Sequence, residues 1–274
     1  MKPFRQALSL SQALRATRRR IVALRELQRL LGHFGAERLI SDLPHIRECM
    51  ERYDRLIPPQ EAGLRRFDLI NAAISRRRYE TYLEIGVRDP QDCFNRVMAA
   101  RKWSVDPGLE FRSNPVDFAM TSDEFFARCD AGQVSNRPTA WDVIFIDGLH
   151  RAEQVWRDIQ NASRYLAPSG MIFLHDCLPP SEVFARERFE WALESRVCWN
   201  GTCWKALSRY MESGPWHSVV VETDWGVGVI DSARVVNRRA EGGENVFFEF
   251  DRYVHQLRQA GLVMAPHDFV AGLG

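Results

Sequence analysis

Two short runs of β-branched and aromatic residues dominate the hydrophobic pattern, Trp141–Ile146 and Met171–Leu174. Each is long enough for a buried strand and too short for a helix. Each ends abruptly in ionisable side chains, Asp147 and His150 after the first, His175 and Asp176 after the second. In an open parallel sheet the ligand crevice lies beyond the carboxyl ends of the strands. Two strands that both finish in Asp and His therefore predict an active site. The competing reading is that these residues only cap the turns that follow.

The remaining pattern alternates. Thr81–Gly86 reads as a strand ending at a glycine, residues 92–101 as a helix, and residues 103–106 as a short strand closed by Pro107 and Gly108. Residues 118–122 are a weaker strand, and Asp123 opens a helix with acids in its first turn, where they complement the helix dipole. Strand 141–147, helix 151–166 and strand 171–175 follow, with Pro168–Gly170 separating the last two. Strands alternating with helices predict right-handed crossovers and an α/β, doubly wound, mostly parallel sheet. Further on, helices are expected over 182–195, 203–211 and 244–260. Strand 218–223, a turn at 224–226 and a return over 227–230 predict a C-terminal antiparallel hairpin.

Ahead of the sheet, Ile21, Leu24, Leu27, Leu31 and Phe34 mark one face of a helix over residues 5–34. Two more helical stretches, 44–56 and 61–77, lead to the first strand. The chain is thus divided into an N-terminal helical arm or cap, 1–77, and a main domain, 78–274. Residues 1–70 carry 14 Lys and Arg against 8 Asp and Glu, whereas 71–274 carry 23 against 28. Such an arm can touch nucleic acid, anionic lipid or an acidic partner, or it can be the solvated side of a helix. It also offers a surface for a homodimer.

No run approaches the roughly 18 apolar residues of a membrane span, and the N-terminus has no secretory pattern. The six cysteines are scattered without a zinc or disulfide framework. A cytoplasmic protein with reduced thiols is expected.

Gly86 and Asp106 bear on the cofactor. A strand, a glycine turn and a second strand ending in an acid about 20 residues on is a layout for holding an adenosine, the acid accepting from the ribose hydroxyls. The turn has one glycine where a pyrophosphate-binding turn wants three, which disfavours NAD or FAD. S-adenosylmethionine, with no phosphate, tolerates a less open turn.

Leu83–Gly86, Val105–Asp106, Phe145–His150 with Asp158 eight residues on, and Leu166–Gly170 running into Leu174–Asp176 resemble class I S-adenosylmethionine-dependent methyltransferases. More narrowly, the Asp-Gly-x-His and His-Asp pair resembles the branch containing antibiotic- and sugar-modifying O-methyltransferases. The resemblance implies a Rossmann-like domain, with Glu84 and Gly86 near the methionine end of the cofactor and Asp106 on its ribose. It further implies Ser122 and Asp123 beside the adenine and Asp147 under the sulfonium. Asp147 and Asp176 match positions where related enzymes hold Mg²⁺. Here His175 stands in place of a second acid, and a nitrogen donor suits hard Mg²⁺ poorly.

Methyl transfer to a hydroxyl needs alignment and a base, which histidine supplies near neutral pH. His150 and His175 are the candidates, each beside an Asp, with His150 ranked first. Tryptophans 199, 204, 216 and 225 are read either as shaping a small-molecule or glycan acceptor pocket or as core. The expected activity is O-methylation of such an acceptor, assisted by a base or a metal. A non-catalytic module of the same fold and, less favoured, a nucleic-acid methyltransferase or an NAD-linked oxidoreductase stand as alternatives.

Overall fold

The computed structural model describes residues 63–109, 113, 115–182, 184–187, 199–236 and 245–273. The expected helices over 5–34 and 44–56, any dimer contact through them, and most of the expected helix 182–195 lie outside the described residues.

Residues 57–188 with 200–274 form one compact unit. It opens with helix α1 (Arg66–Arg77) and strand β1 (Thr81–Ile85). Strand β2 (Arg101–Val105), helix α2 (Ser122–Asp130), strand β3 (Trp141–Ile146), helix α3 (Ala152–Tyr165) and strand β4 (Leu166–Leu174) follow. The unit closes with α4 (Cys203–Ser213), β5 (Trp216–Val221), β6 (Val227–Val235), α5 (Phe250–Gln259), β7 (Val263–Met264) and α6 (Pro266–Ala271). The strands lie in the order β2-β1-β3-β4-β6-β5-β7. β1 to β4 pair parallel, whereas β6 is antiparallel to both β4 and β5. The doubly wound sheet and its C-terminal hairpin are as the pattern predicts.

Side chains alternate across the strands and fill a core on each face. On one face Leu83, Ile85, Ile144, Ile146, Ile172 and Leu174 join the buried residues of α2, α3, α4 and α5. On the other, Tyr82, Val143, Phe145, Met171 and Phe173 meet Leu69, Ile70, Ala73 and Ile74 of α1 and Phe269 of α6. Strands covered on both faces read as continuous apolar runs, which is why β3 and β4 are conspicuous in the sequence.

Three expected elements change. The strand over 118–122 shrinks to one parallel bridge between Val105 and Phe118. The Asp117 carboxylate there takes the backbone N–H and hydroxyl of Ser104, a donor that a strand carbonyl would otherwise receive. The Met120 N–H turns back onto the Phe118 carbonyl. The helix over 92–101 is a single 3₁₀ turn, Phe94–Arg96. The Asn71 side chain intercepts the Met98 N–H, and β2 already begins at Arg101. The helix expected over 244–260 starts at Phe250, because Asn245 holds Glu249 in a turn by exchanging two hydrogen bonds with its backbone. In addition, Pro168–Gly170 lies within β4, as a bulge between the Trp141–Leu166 and Val143–Met171 pairings.

Candidate active site

The carboxyl edges of β1, β3 and β4 are stitched together one residue past their ends. The Asp147 N–H donates to the Ile85 carbonyl at 2.8 Å and the His175 N–H to the Ile146 carbonyl at 3.0 Å. This stagger brings the residues that follow β3 and β4 side by side. His175 Nδ1 lies 3.2 Å from an Asp147 oxygen and 3.0 Å from an Asp176 oxygen. His150 Nε2 lies 3.5 Å from Asp147 and 3.3 Å from Asp176. Two imidazoles thus converge on two carboxylates. The His150 side chain is 23% exposed against 8% for His175, so of the two His150 faces the crevice and His175 is enclosed.

Each charge has an identifiable cause. Burial alone would raise the Asp147 carboxyl. The charge of His175, hydrogen bonds from both histidines and the charge of Arg66 outweigh it and hold Asp147 well below the usual carboxylate range. For His175 burial works against the imidazolium, and Asp147 and Asp176 overcome it, lifting the ring well above an ordinary histidine.

The turn after β1 is as close as backbone allows. Gly86 has φ +83°, and a Cβ there would stand 2.3 Å from the Asp147 carbonyl oxygen. Only glycine permits this approach. Asp106, one residue beyond β2, lies beside the same turn, its carboxylate accepting from the Arg88 and Gly108 N–H groups. Gly86, Asp106 and Asp147 therefore share one rim of the sheet.

Glu84 is placed differently. It is buried within β1, accepts the Tyr82 hydroxyl at 2.5 Å, and burial pushes its carboxyl up to about 8. Ser122 is the first residue of α2, and its hydroxyl donates to buried Asp158 at 2.6 Å. Asp123 lies against Gln154 and Arg157 of α3. Both are engaged where α2 packs on α3. Trp204 is a core residue between Phe250 and Tyr253.

Three participants escape sequence reasoning. Asn200 donates to Asp176 at 2.5 Å. Arg66, at the start of α1, donates to Asp224 at 3.0 Å, and the same guanidinium nitrogen stands 3.2 Å from His175 Nε2. Asp224, in the β5–β6 turn, also stands 3.8 Å from His175 Nε2. An acid on a tight Asp-Trp-Gly turn is a signal, but one that turns produce for their own reasons.

A family model described as a methyltransferase domain matches residues 75–177, the stretch from the end of α1 to the residue after Asp176. No curated protein matches the chain. Among solved structures, an O-methyltransferase from Bacillus cereus in complex with SAH is similar at 12% identity and a TM-score of 0.43, covering 74% of this chain and 96% of that one. A putative O-methyltransferase from Klebsiella pneumoniae is similar at 11% identity and a TM-score of 0.40, covering 75% and 94%. The MycE methyltransferase of the mycinamycin pathway, in complex with Mg, SAH and mycinamycin VI, is similar at 16% and a TM-score of 0.41, covering 80% and 64%. Among the described residues, no helix is long and apolar enough to cross a membrane.

Proposed function

We propose that this chain is an S-adenosylmethionine-dependent O-methyltransferase acting on a hydroxyl of a small molecule or glycan, with His150 as the base. The observation that carries the reading is the convergence of His150 on Asp147 and Asp176, at 3.5 and 3.3 Å, on the rim that also holds Gly86 and Asp106. The fit to the cofactor rests on that rim. A close glycine turn beside an acid at the end of the next strand suits a ribose diol, and a turn with a single glycine offers no pyrophosphate cradle. S-adenosylmethionine, when bound, supplies a methyl carbon already activated by its sulfonium. Asp106 would bind the ribose hydroxyls, and Gly86 keeps the floor of the crevice thin.

His150 would take the proton of the acceptor hydroxyl, and the bound S-adenosylmethionine would supply the methyl group. The imidazolium so formed lies against Asp147 and Asp176, which stabilise it while the reaction proceeds. Asn200 holds one oxygen of Asp176, which orients the other toward the histidines.

The donor set also fits a divalent ion. One ligand atom each from Asp147, His175 and Asp176 lies within 4.8 Å of the others. When bound, such an ion would acidify a coordinated acceptor hydroxyl. With one nitrogen among the three donors, Mn²⁺, Fe²⁺ or Zn²⁺ suits the set better than Mg²⁺.

Calorimetry with S-adenosylhomocysteine tests the cofactor. Binding is expected, weakened at least tenfold by Asp106→Ala. Methyl transfer in an acceptor screen followed by mass spectrometry tests the reaction. No binding by the wild-type protein, or binding indifferent to Asp106→Ala, overturns the reading.

A further inference from the structure

Behind the two carboxylates lies a second layer that the reaction itself does not use. The β5–β6 turn passes through three successive residues with positive φ, Asp224 at +47°, Trp225 at +68° and Gly226 at +86°. That region is disfavoured for the two non-glycine residues, so the turn is held there by its surroundings. Its carbonyls accept the Cys177 and Leu178 N–H groups, immediately after Asp176. The Thr223 hydroxyl donates to the Leu64 carbonyl, just ahead of α1. The result is a carboxylate, Asp224, fixed between α1 and the back of His175.

There it meets a competing group. Arg66 donates to Asp224 through its backbone N–H at 3.2 Å and its guanidinium at 3.0 Å, and the same guanidinium nitrogen stands 3.2 Å from His175 Nε2. A guanidinium can only donate. A metal takes only the neutral ring, and in the neutral ring a hydrogen bond from Arg66 makes Nε2 the acceptor and leaves the proton on Nδ1, against Asp176 and Asp147. In that tautomer Nδ1 has no lone pair to offer a metal. For Nδ1 to ligate, the ring must carry its proton on Nε2, and the acceptor on that side is Asp224, at 3.8 Å. Arg66 Nε is itself buried without a hydrogen-bond partner, so the guanidinium is not locked on every side.

We infer that Asp224 and Arg66 are opposed positioning residues that select the tautomer of His175, Asp224 presenting Nδ1 to a divalent ion and Arg66 withholding it. This rests on the reading of Asp147, His175 and Asp176 as a divalent-ion site. It departs from a mere helix cap, because the two members of one ion pair are expected to act in opposite directions. A group that fixes the far nitrogen of a metal-ligating histidine is typically worth 10- to 100-fold in metal affinity.

The test is Mn²⁺ binding to the full chain, by calorimetry and by electron paramagnetic resonance, with thermal melts and S-adenosylhomocysteine affinity recorded on each variant. Asp224→Ala is expected to weaken Mn²⁺ by about 10- to 100-fold. Asp224→Asn, whose amide oxygen still accepts from Nε2–H, should recover most of that loss. Arg66→Met, which removes both the competing donor and a nearby positive charge, should tighten Mn²⁺ by roughly three- to tenfold. A purely structural ion pair would make Asp224→Ala and Arg66→Met weaken Mn²⁺ alike, with no rescue by Asn, and that result overturns the inference. No Mn²⁺ binding by wild type at millimolar concentration overturns it too. Retained S-adenosylhomocysteine binding would then leave the methyltransferase reading intact, so the two failures are distinguishable.

Discussion

Asp147 and His175 leave neighbouring strands, yet Oδ1 of one lies 3.2 Å from Nδ1 of the other. The contact is the electrostatic keystone of the rim, since each group holds the other in its charged form against the penalty of burial. Removing one member of such a pair leaves a buried charge uncompensated. Asp147→Asn, nearly isosteric, is therefore expected to lower unfolding free energy by about 3 kcal/mol in urea denaturation at pH 6. A change below about 0.5 kcal/mol, typical of exposed pairs, would show the contact to be unimportant.

His150 is the more exposed histidine of the cluster, and its loss should be felt in turnover far more than in stability or cofactor affinity. His150→Ala is expected to lower kcat by about 10²- to 10⁴-fold, the usual span for general-base catalysis, with S-adenosylhomocysteine affinity within roughly threefold of wild type. Equal losses in kcat and cofactor affinity would assign His150 to binding instead.

Gly86 tests the tightness of the rim. An added methyl would meet the Asp147 carbonyl and the Gly148 Cα, both backbone, at 2.3 Å, in a conformation of φ +83°. Neither neighbour can rotate away. Gly86→Ala should destabilise the domain by about 3 kcal/mol, summing the left-handed penalty and overpacking, and should weaken S-adenosylhomocysteine because Asp147 is displaced. A melting temperature within a degree of wild type would contradict this.

The legible parts of the molecule were those set by local chemistry. β3 and β4 announce themselves because a strand covered on both faces carries a nearly continuous apolar run, residues 143–146 and 171–174 here. Asp147, His150, His175 and Asp176 stand just past the ends of such strands, where the fold brings them together. What the sequence hides depends on distant partners. Residues 118–122 have strand composition, but the Asp117 carboxylate occupies the edge of β2 first. Arg66 reads as one more arginine at the start of a helix until Asp224, far away in the chain, is folded against it. Glu84 reads as a ligand for the cofactor because the family resemblance implies a place near its methionine end. Its environment depends on whether the strand's inner face is dry, and here Tyr82 and Cys93 make it so.

That dry setting makes a prediction about pH. Burial is the largest influence on Glu84 and moves its carboxyl from an ordinary 4.5 up to about 8, against the opposing help of the Tyr82 hydroxyl. Below pH 4.5 the group is protonated in both folded and unfolded chains and contributes nothing to pH dependence. Between 4.5 and 8 the unfolded chain ionises it while the folded chain keeps its proton, so the native state binds more protons and stability falls as pH rises. Above 8 the penalty is complete. Glu84→Gln removes the titration while keeping an oxygen for Tyr82, so the variant should gain on wild type steadily from pH 5 to pH 8.5. The gain over that window should be roughly 4 kcal/mol, at about 1.4 kcal/mol for each step of one in pH over which only the folded chain holds the proton. Any constant offset from the amide would leave the slope untouched, so denaturant unfolding of both proteins across this range reads Glu84 alone. A difference that stays flat with pH would mean that Glu84 is ionised in the folded domain, which would return it to the rim as a partner for a positively charged ligand.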